Sequence, residues 1–126
     1  MDGFAELNKL LHNKTLICGD DLIVTNPEIL REAVEKKAVK ALIVKPNQVG
    51  FLTTAMETVR IAHREKIVPV VSHRSGEPPE GYLAQLAIAW GGKILKAGIM
   101  GGERIAKANE LIRVSEEIGG HKIARL

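Results

Sequence analysis

An aliphatic run that ends abruptly in polar residues lies near the middle of the chain: Ile67-Val68-Pro69-Val70-Val71-Ser72-His73-Arg74-Ser75. A continuous aliphatic run is typical of a buried parallel strand. The loops that follow such strands carry the ligand sites of many α/β proteins. We therefore interpret residues 72–75 as an anion-binding loop, in which Arg74 offers a rigid fork of donors and Ser72 and Ser75 add short ones. The alternative is a capped strand end with a solvated arginine.

The same transition recurs at three other places, so that four predicted strands each end at a polar or ionisable residue. The strands and the residues that follow them are 15–19 with Asp20, 41–44 with Lys45, 67–71 with His73, and 93–95 with Lys96. Neighbouring parallel strands deliver their final residues on the same side of a sheet. We therefore predict one site built from these strand ends, with Lys45 and Lys96 near one another.

Helical spacing of apolar residues fills the segments between the strands. The clearest helix start is Asn26-Pro27-Glu28, which places an N-cap, a first-turn proline and an acid in order. The predicted helices cover residues 4–11, 27–37, 53–66, 81–90 and 103–118. The predicted fold is a single α/β domain over residues 1–126, with one helix followed by four βα units whose strands are parallel.

Composition narrows the functional classes. The chain has 126 residues, only 3% of which are aromatic, and a net charge of +3 with Lys and Arg interleaved among acids. This argues against a nucleic-acid partner, which needs stacking platforms or a basic block.

Cys18 is predicted to be a buried, inert thiol. The start lacks a basic leader, and the longest uncharged run, residues 81–92, is too short to span a bilayer, so we expect a cytoplasmic protein without membrane contact.

The strand-end residues suit a phosphorylated carboxylate. Asp20 is a hard oxygen ligand for Mg²⁺, or else an aspartate bonded to loop amides. Lys45 and Lys96 have two interpretations. They are either strand-end lysines that reach solvent, or a pair in which one cation lowers the pKa of the other lysine, so that its neutral amine can act as a general base. With a phosphate on Arg74 and Ser75, the set suits proton abstraction beside a metal-bound carboxylate.

Four motifs together make the chain resemble a known family. They are residues 19–27 (GDDLIVTNP), 45–50 (KPNQVG), 72–77 (SHRSGE) and 103–107 (ERIAK). In this order they resemble the C-terminal half of enolase, the phosphopyruvate hydratase (a lyase) of glycolysis, over essentially the whole chain. The resemblance implies the C-terminal half of a variant eight-stranded, TIM-like β/α barrel.

The resemblance also implies a role for each strand-end residue. Asp20 matches a magnesium ligand, and Lys45 matches the base that removes the C2 proton of 2-phosphoglycerate. His73, Arg74 and Ser75 match the substrate-binding loop, in which Arg74 and Ser75 contact the phosphate. Lys96 matches the lysine that binds the substrate carboxylate. There are also departures from the family pattern. Gly101-Gly102 replaces the usual Arg-Ser, Ala97 replaces a threonine, and Gln85 replaces an aspartate.

In the family, two further metal carboxylates and the general-acid glutamates lie ahead of the matched stretch. One carboxylate rarely holds Mg²⁺ well, so we expect the isolated chain to bind Mg²⁺ poorly. A missing general acid typically costs on the order of 10²–10⁴ in rate. We therefore expect a very poor dehydratase in isolation.

A four-stranded half-barrel also leaves two strand edges unpaired. We expect closure by a homodimer or higher oligomer, by a complementing chain, or by a flatter fold shielded through the apolar helix around Trp90. The leading functional interpretation is an enolase-related lyase that keeps part of the 2-phosphoglycerate/phosphoenolpyruvate site and works only in an assembly. The alternative is a non-catalytic binding or assembly module descended from enolase.

Overall fold

A computed structural model describes residues 1–11, 14–120 and 124–126. The Cα positions group the chain into two compact units, Met1–Pro69 and Val70–Leu126. The prediction of one domain over residues 1–126 stays a prediction. The sequence also predicts that the first helix ends near His12-Asn13 and that residues 121–126 form a tail; residues 12–13 and 121–123 lie outside the described residues.

The first unit alternates helices and strands. Its elements are α1 (Asp2–Leu10), β1 (Cys18–Gly19), α2 (Pro27–Glu35), β2 (Ala41–Val44), α3 (Pro46–Val49) and α4 (Leu52–Arg64), and β3 (Val68–Ser72) begins within it. The second unit contains the end of β3, then α5 (Tyr82–Ala89), β4 (Ile94–Lys96) and α6 (Gly102–Glu117). The strands form one parallel sheet in the order β1-β2-β3-β4. This confirms the predicted α/β pattern of a helix followed by four βα units.

Local chemistry explains two of the boundaries. The Asn26 side chain accepts hydrogen bonds from the backbone N–H groups of Glu28 (2.8 Å) and Ile29 (3.3 Å), which confirms the predicted N-cap of α2. Pro46 ends β2 as predicted, but it also begins the short helix α3, which was not predicted. Its fixed φ suits a first helical position, and Gly50 ends that helix in the left-handed region at φ 86°.

The first unit has a substantial aliphatic core. Its fully buried side chains include Ile23, Leu30, Leu42, Val44 and Val59. One prediction differs in detail, because Cys18, the first residue of the two-residue strand β1, is half-buried rather than buried.

The core of the second unit is thinner. It consists of residues from β3, α5 and the end of β4, namely Val70, Val71, Leu83, Ala84, Ala87 and Ala97. The apolar side chains of α6 stay largely exposed, as at Ile112 (58%) and Ile105 (41%). Among the described residues, no helix is long and apolar enough to cross a membrane.

Candidate functional site

Each predicted strand-end residue lies where a strand ends. Asp20 follows β1, Lys45 follows β2, and His73 follows β3, while Lys96 is the last residue of β4. The register of the second unit pairs Ser72 with Lys96. The predicted proximity of Lys45 to Lys96 stays a prediction.

In the first unit, Asp20 and Lys45 form an ion pair. The Lys45 Nζ lies 2.5 Å from Asp20 Oδ1, and the two side chains are 14% and 36% exposed. The pair forms because β1 and β2 are adjacent and parallel, with Cys18 opposite Ala41 and Gly19 opposite Leu42. Two residues 25 positions apart in sequence therefore meet at the same end of the sheet.

Thr25 holds Lys45 in place from the backbone side. The Lys45 backbone N–H donates to Thr25 Oγ1 (2.9 Å), and that hydroxyl donates to Gln48 Oε1 (3.3 Å). The carbonyl of Thr25 in turn accepts from the Thr58 hydroxyl of α4 (2.9 Å). Thr25 and Thr58 are both fully buried, so this is a fixed network rather than a solvated loop.

The backbone of this network is strained. Val24 and Thr25 have φ values of 49° and 59°, in the left-handed region that β-branched residues rarely adopt. Such outliers cost of order 1–3 kcal/mol each and persist only where surrounding contacts enforce them. The hydrogen bonds of Thr25 to Lys45 and Thr58 supply that enforcement.

The residues present do not by themselves fit a magnesium site. Within residues 1–11, 14–120 and 124–126, no group of three or more His, Cys, Asp or Glu side chains is gathered to hold a metal. Asp20 offers one carboxylate, and Lys45 already contacts it. Mg²⁺ requires near-octahedral oxygen ligation, so Asp20 can be at most one ligand of a site completed by other groups.

In the second unit, Ser72 ties the ends of two strands together. Its hydroxyl, on a residue that is 1% exposed, lies 3.0 Å from the His73 carbonyl and 3.2 Å from the Lys96 carbonyl. The His73 N–H also donates to the Lys96 carbonyl at 3.4 Å. His73 and Lys96 are therefore neighbours, as predicted from their strand ends.

The predicted anion-binding loop continues from this point into solvent. Arg74 and Ser75 are exposed, and the Arg74 backbone N–H donates to Glu77 Oε1 at 3.3 Å. Glu77 itself is buried, and its Oε2 lies 3.6 Å from the Nζ of Lys107 on α6. Lys107 is completely buried, and its Nζ also donates to the Pro78 carbonyl at 2.8 Å.

Glu77 and Lys107 received no role from the sequence, although both lie in the quoted motifs. One sequence signal points to Lys107. It lies on α6 among apolar residues at helical spacing, and a lysine buried at such a position needs a partner. Its partner, Glu77, is 30 residues earlier in the sequence, and only the fold brings the two together.

Positive charge surrounds His73. Burial lowers the pKa of His73 below its usual 6.5, and the cations Arg104, Lys107 and Lys96 lower it further, while Glu77 opposes them. The Nδ1 atom of His73 is buried and has no hydrogen-bond partner among the described residues. Burial and these neighbouring cations thus favour the neutral imidazole.

The departures from the family motifs have structural counterparts. Gln85 donates from Nε2 to Glu110 Oε1 at 2.6 Å and so links α5 to α6. Gly101 has φ 93° at the start of α6, a conformation that suits glycine. Ala97 is buried directly after β4.

Comparison with known proteins agrees with the motifs. Residues 1–124 match the family model described as "Enolase, C-terminal TIM barrel domain". The chain belongs to the enolase family. It is 52% identical over 126 residues to the enolase of Methanothermobacter thermautotrophicus and 50% identical over 125 residues to that of Methanosphaera stadtmanae. The enolase of Archaeoglobus fulgidus is 49% identical over 115 residues.

These enolases are much longer than the chain. The alignments cover 100%, 99% and 91% of the chain but only 30%, 30% and 28% of the three relatives. The chain corresponds to the C-terminal part of an enolase barrel domain. Its four parallel strands and their helices are consistent with half of an eight-stranded barrel.

Proposed function

We propose that the chain supplies the proton-abstracting and anion-binding side chains of an enolase active site. The reaction is the dehydration of 2-phosphoglycerate to phosphoenolpyruvate. The observation that carries the proposal is the placement of Lys45, a half-buried amine fixed through its own backbone by Thr25 and directed at Asp20. A general base needs this kind of fixed position beside its substrate.

In the proposed reaction, the Lys45 amine takes the C2 proton of 2-phosphoglycerate. The C2–H electron pair forms the new double bond as the C3–O bond breaks, and the hydroxyl leaves as water after protonation by an acid supplied from outside this chain. Lys45 must first separate from Asp20 and release its own proton to solvent, because an ammonium paired with a carboxylate has no free electron pair to take the C2 proton. In the second unit, Arg74 and Ser75 bind the phosphate and Lys96 the carboxylate.

We further propose that the partner is the remaining half of an enolase barrel. The sheet has β1 and β4 as its edges, and edges of this kind require cover. In a β/α barrel each gap between neighbouring strands is covered by one helix. The chain has a helix before β1 and another after β4. Two copies closing into a ring would bring α1 of one and α6 of the other to the same gap, so a complementing half fits better than a homodimer.

A second function is favoured by one observation. The cationic cluster of the second unit is built without Asp20 or Lys45, and the described residues gather no metal site. A non-catalytic module that binds a phosphorylated carboxylate would need only the second unit. Binding without turnover would support this alternative.

The test compares turnover by the wild type with that of Lys45→Ala, with 2-phosphoglycerate and Mg²⁺ present. The measurement is phosphoenolpyruvate formation, made on the chain alone and after mixing with a polypeptide carrying the preceding strands of an enolase barrel. We expect turnover only in the mixture, with Lys45→Ala lowering it by about 10²–10⁴-fold, the usual contribution of a general base.

Exposed Lys14→Ala is the matched control and should keep full turnover. Equal rates for wild type and Lys45→Ala in an active mixture would remove Lys45 from the mechanism. An inactive mixture that still binds phosphoenolpyruvate would leave the binding module as the function.

A further inference from the structure

The second unit contains a buried charge pair to which neither the reaction nor the motifs assign a role. Lys107 on α6 is 0% exposed, and the side chain of Glu77 is 2% exposed. Lysine and glutamate are almost never buried to this extent unless they are paired. Replacing such a pair by apolar residues is often neutral or stabilising, so stability alone does not account for it.

Contacts of this pair lead to the anion-binding loop. Lys107 Nζ contacts the two residues that follow the loop and Gly76, at the Pro78 carbonyl (2.8 Å) and at Glu77 Oε2 (3.6 Å). The other carboxylate oxygen of Glu77 accepts the Arg74 backbone N–H at 3.3 Å. A chain of contacts therefore runs from α6 through Glu77 to the residue that carries the guanidinium. We call Lys107, Glu77 and the Pro78 carbonyl the buried clamp.

The loop has little else to hold it. Arg74, Ser75 and Gly76 are exposed, and a Cβ added at Gly76 would meet nothing within 4 Å. Gly76 also has φ 79°, in a region that glycine populates about as readily as negative φ. Side-chain packing thus contributes little to the conformation of residues 74–76, and the buried clamp is the fixed point beside them.

The clamp also sets the local charge. Glu77 compensates the charge of Lys107 inside the protein, which leaves the exposed cations Arg74, Lys96 and Arg104 facing solvent. An anion entering the cluster therefore meets the exposed cations rather than a buried lysine. Binding a dianion to a loop that is already ordered avoids the entropic cost of ordering it at that moment.

We propose that Lys107 is a positioning residue: through Glu77 it holds Arg74 and Ser75 in the conformation that binds the phosphate of the substrate. The inference rests on the proposed function for its ligand, but the clamp itself is defined by contacts within the second unit. It predicts that loosening the clamp frees the Arg74 backbone and weakens phosphate binding while the rest of the unit stays folded.

The experiment uses the whole chain and the double variant Lys107→Met/Glu77→Gln, which removes both buried charges and retains an acceptor at position 77. Amide hydrogen exchange of Arg74 is measured by NMR, with Val71 in β3 as an internal reference, and phosphoenolpyruvate and inorganic phosphate are titrated by calorimetry. We expect Arg74 to exchange faster with Val71 unchanged. Affinity should fall about tenfold, the effect of losing one charge-assisted hydrogen bond that orders the loop.

The matched control is Lys93→Met, the same substitution at an exposed lysine of this unit, and it should change neither quantity. If the double variant does not fold, Glu77→Asp replaces it, because it keeps both buried charges but shortens the side chain that reaches the Arg74 N–H, and it should also speed Arg74 exchange. Unchanged exchange and affinity in the folded variant would overturn the inference. If the wild type binds neither ligand, the anion-binding part of the proposed function fails, while the exchange measurement still decides whether the clamp exists.

Discussion

The first unit holds the backbone of Lys45 with neutral hydrogen bonds, whereas the second holds its predicted anion-binding loop with buried charges. Around Lys45, the Thr25 hydroxyl, the Gln48 amide and the Thr58 hydroxyl share the task. Around the loop, one buried ammonium and one buried carboxylate carry it. Removing one member of a neutral hydrogen-bond network leaves at most one polar group unsatisfied, so the loss of stability is moderate. Removing one member of a buried charge pair leaves the other charge uncompensated, so the loss of stability is larger. The two arrangements should therefore respond differently to the loss of one group.

The two units also differ in the size of their aliphatic cores. The first unit buries several large aliphatic side chains, while Leu83 is the one leucine among the buried residues described in the second. A unit with a thin core has less stability in reserve against an uncompensated charge. The sharpest test of the comparison therefore lies in the second unit.

The largest expected effect is that of Lys107→Met alone. It leaves the Glu77 carboxylate buried without the ammonium and should destabilise the chain by about 3–5 kcal/mol, the usual cost of breaking a buried pair on one side. Urea unfolding followed by circular dichroism measures the loss. Adding Glu77→Gln should restore most of it, and a double variant no more stable than Lys107→Met would show that charge is not the cause.

A smaller loss is expected from Thr58→Val in the first unit. The substitution keeps the side-chain shape but leaves the buried Thr25 carbonyl without the hydroxyl of α4. An unsatisfied buried carbonyl costs about 1–3 kcal/mol. Thr58→Ser, which keeps the hydroxyl, is the control and should lose less. The comparison of the two units would break if Thr58→Val proved as costly as Lys107→Met.

The smallest expected effect is a pH dependence of the free energy of unfolding that comes from His73 in the second unit. Because burial and the cations Arg104, Lys107 and Lys96 lower the pKa of His73, the unfolded chain binds a proton below about pH 6.5 that the folded chain does not. The free energy of unfolding should therefore fall as pH decreases from 7 to 5.5. His73→Gln should flatten this dependence, whereas exposed His63→Gln should not. A steeper acid loss in His73→Gln would reverse the assigned sign.

The sequence alone determined the order of elements and the strand ends. Aliphatic runs, the Asn26 N-cap and Pro46 are local signals, and each acts on the few residues around it. They place Asp20, Lys45, His73 and Lys96 at the ends of parallel strands, and the motifs around them identify the enolase family. These features required no knowledge of which distant residues meet.

The tertiary structure decided how those strand ends are held. Lys107 and Glu77 are 30 residues apart, and Thr25 and Thr58 are 33 residues apart. The left-handed φ value of Thr25 opposes its intrinsic preference and is held by hydrogen bonds with Lys45 and Thr58, 20 and 33 positions away. Burial of a charge and strain of a backbone depend on partners far along the chain. No local sequence pattern predicts these partners, because only the tertiary packing brings them together.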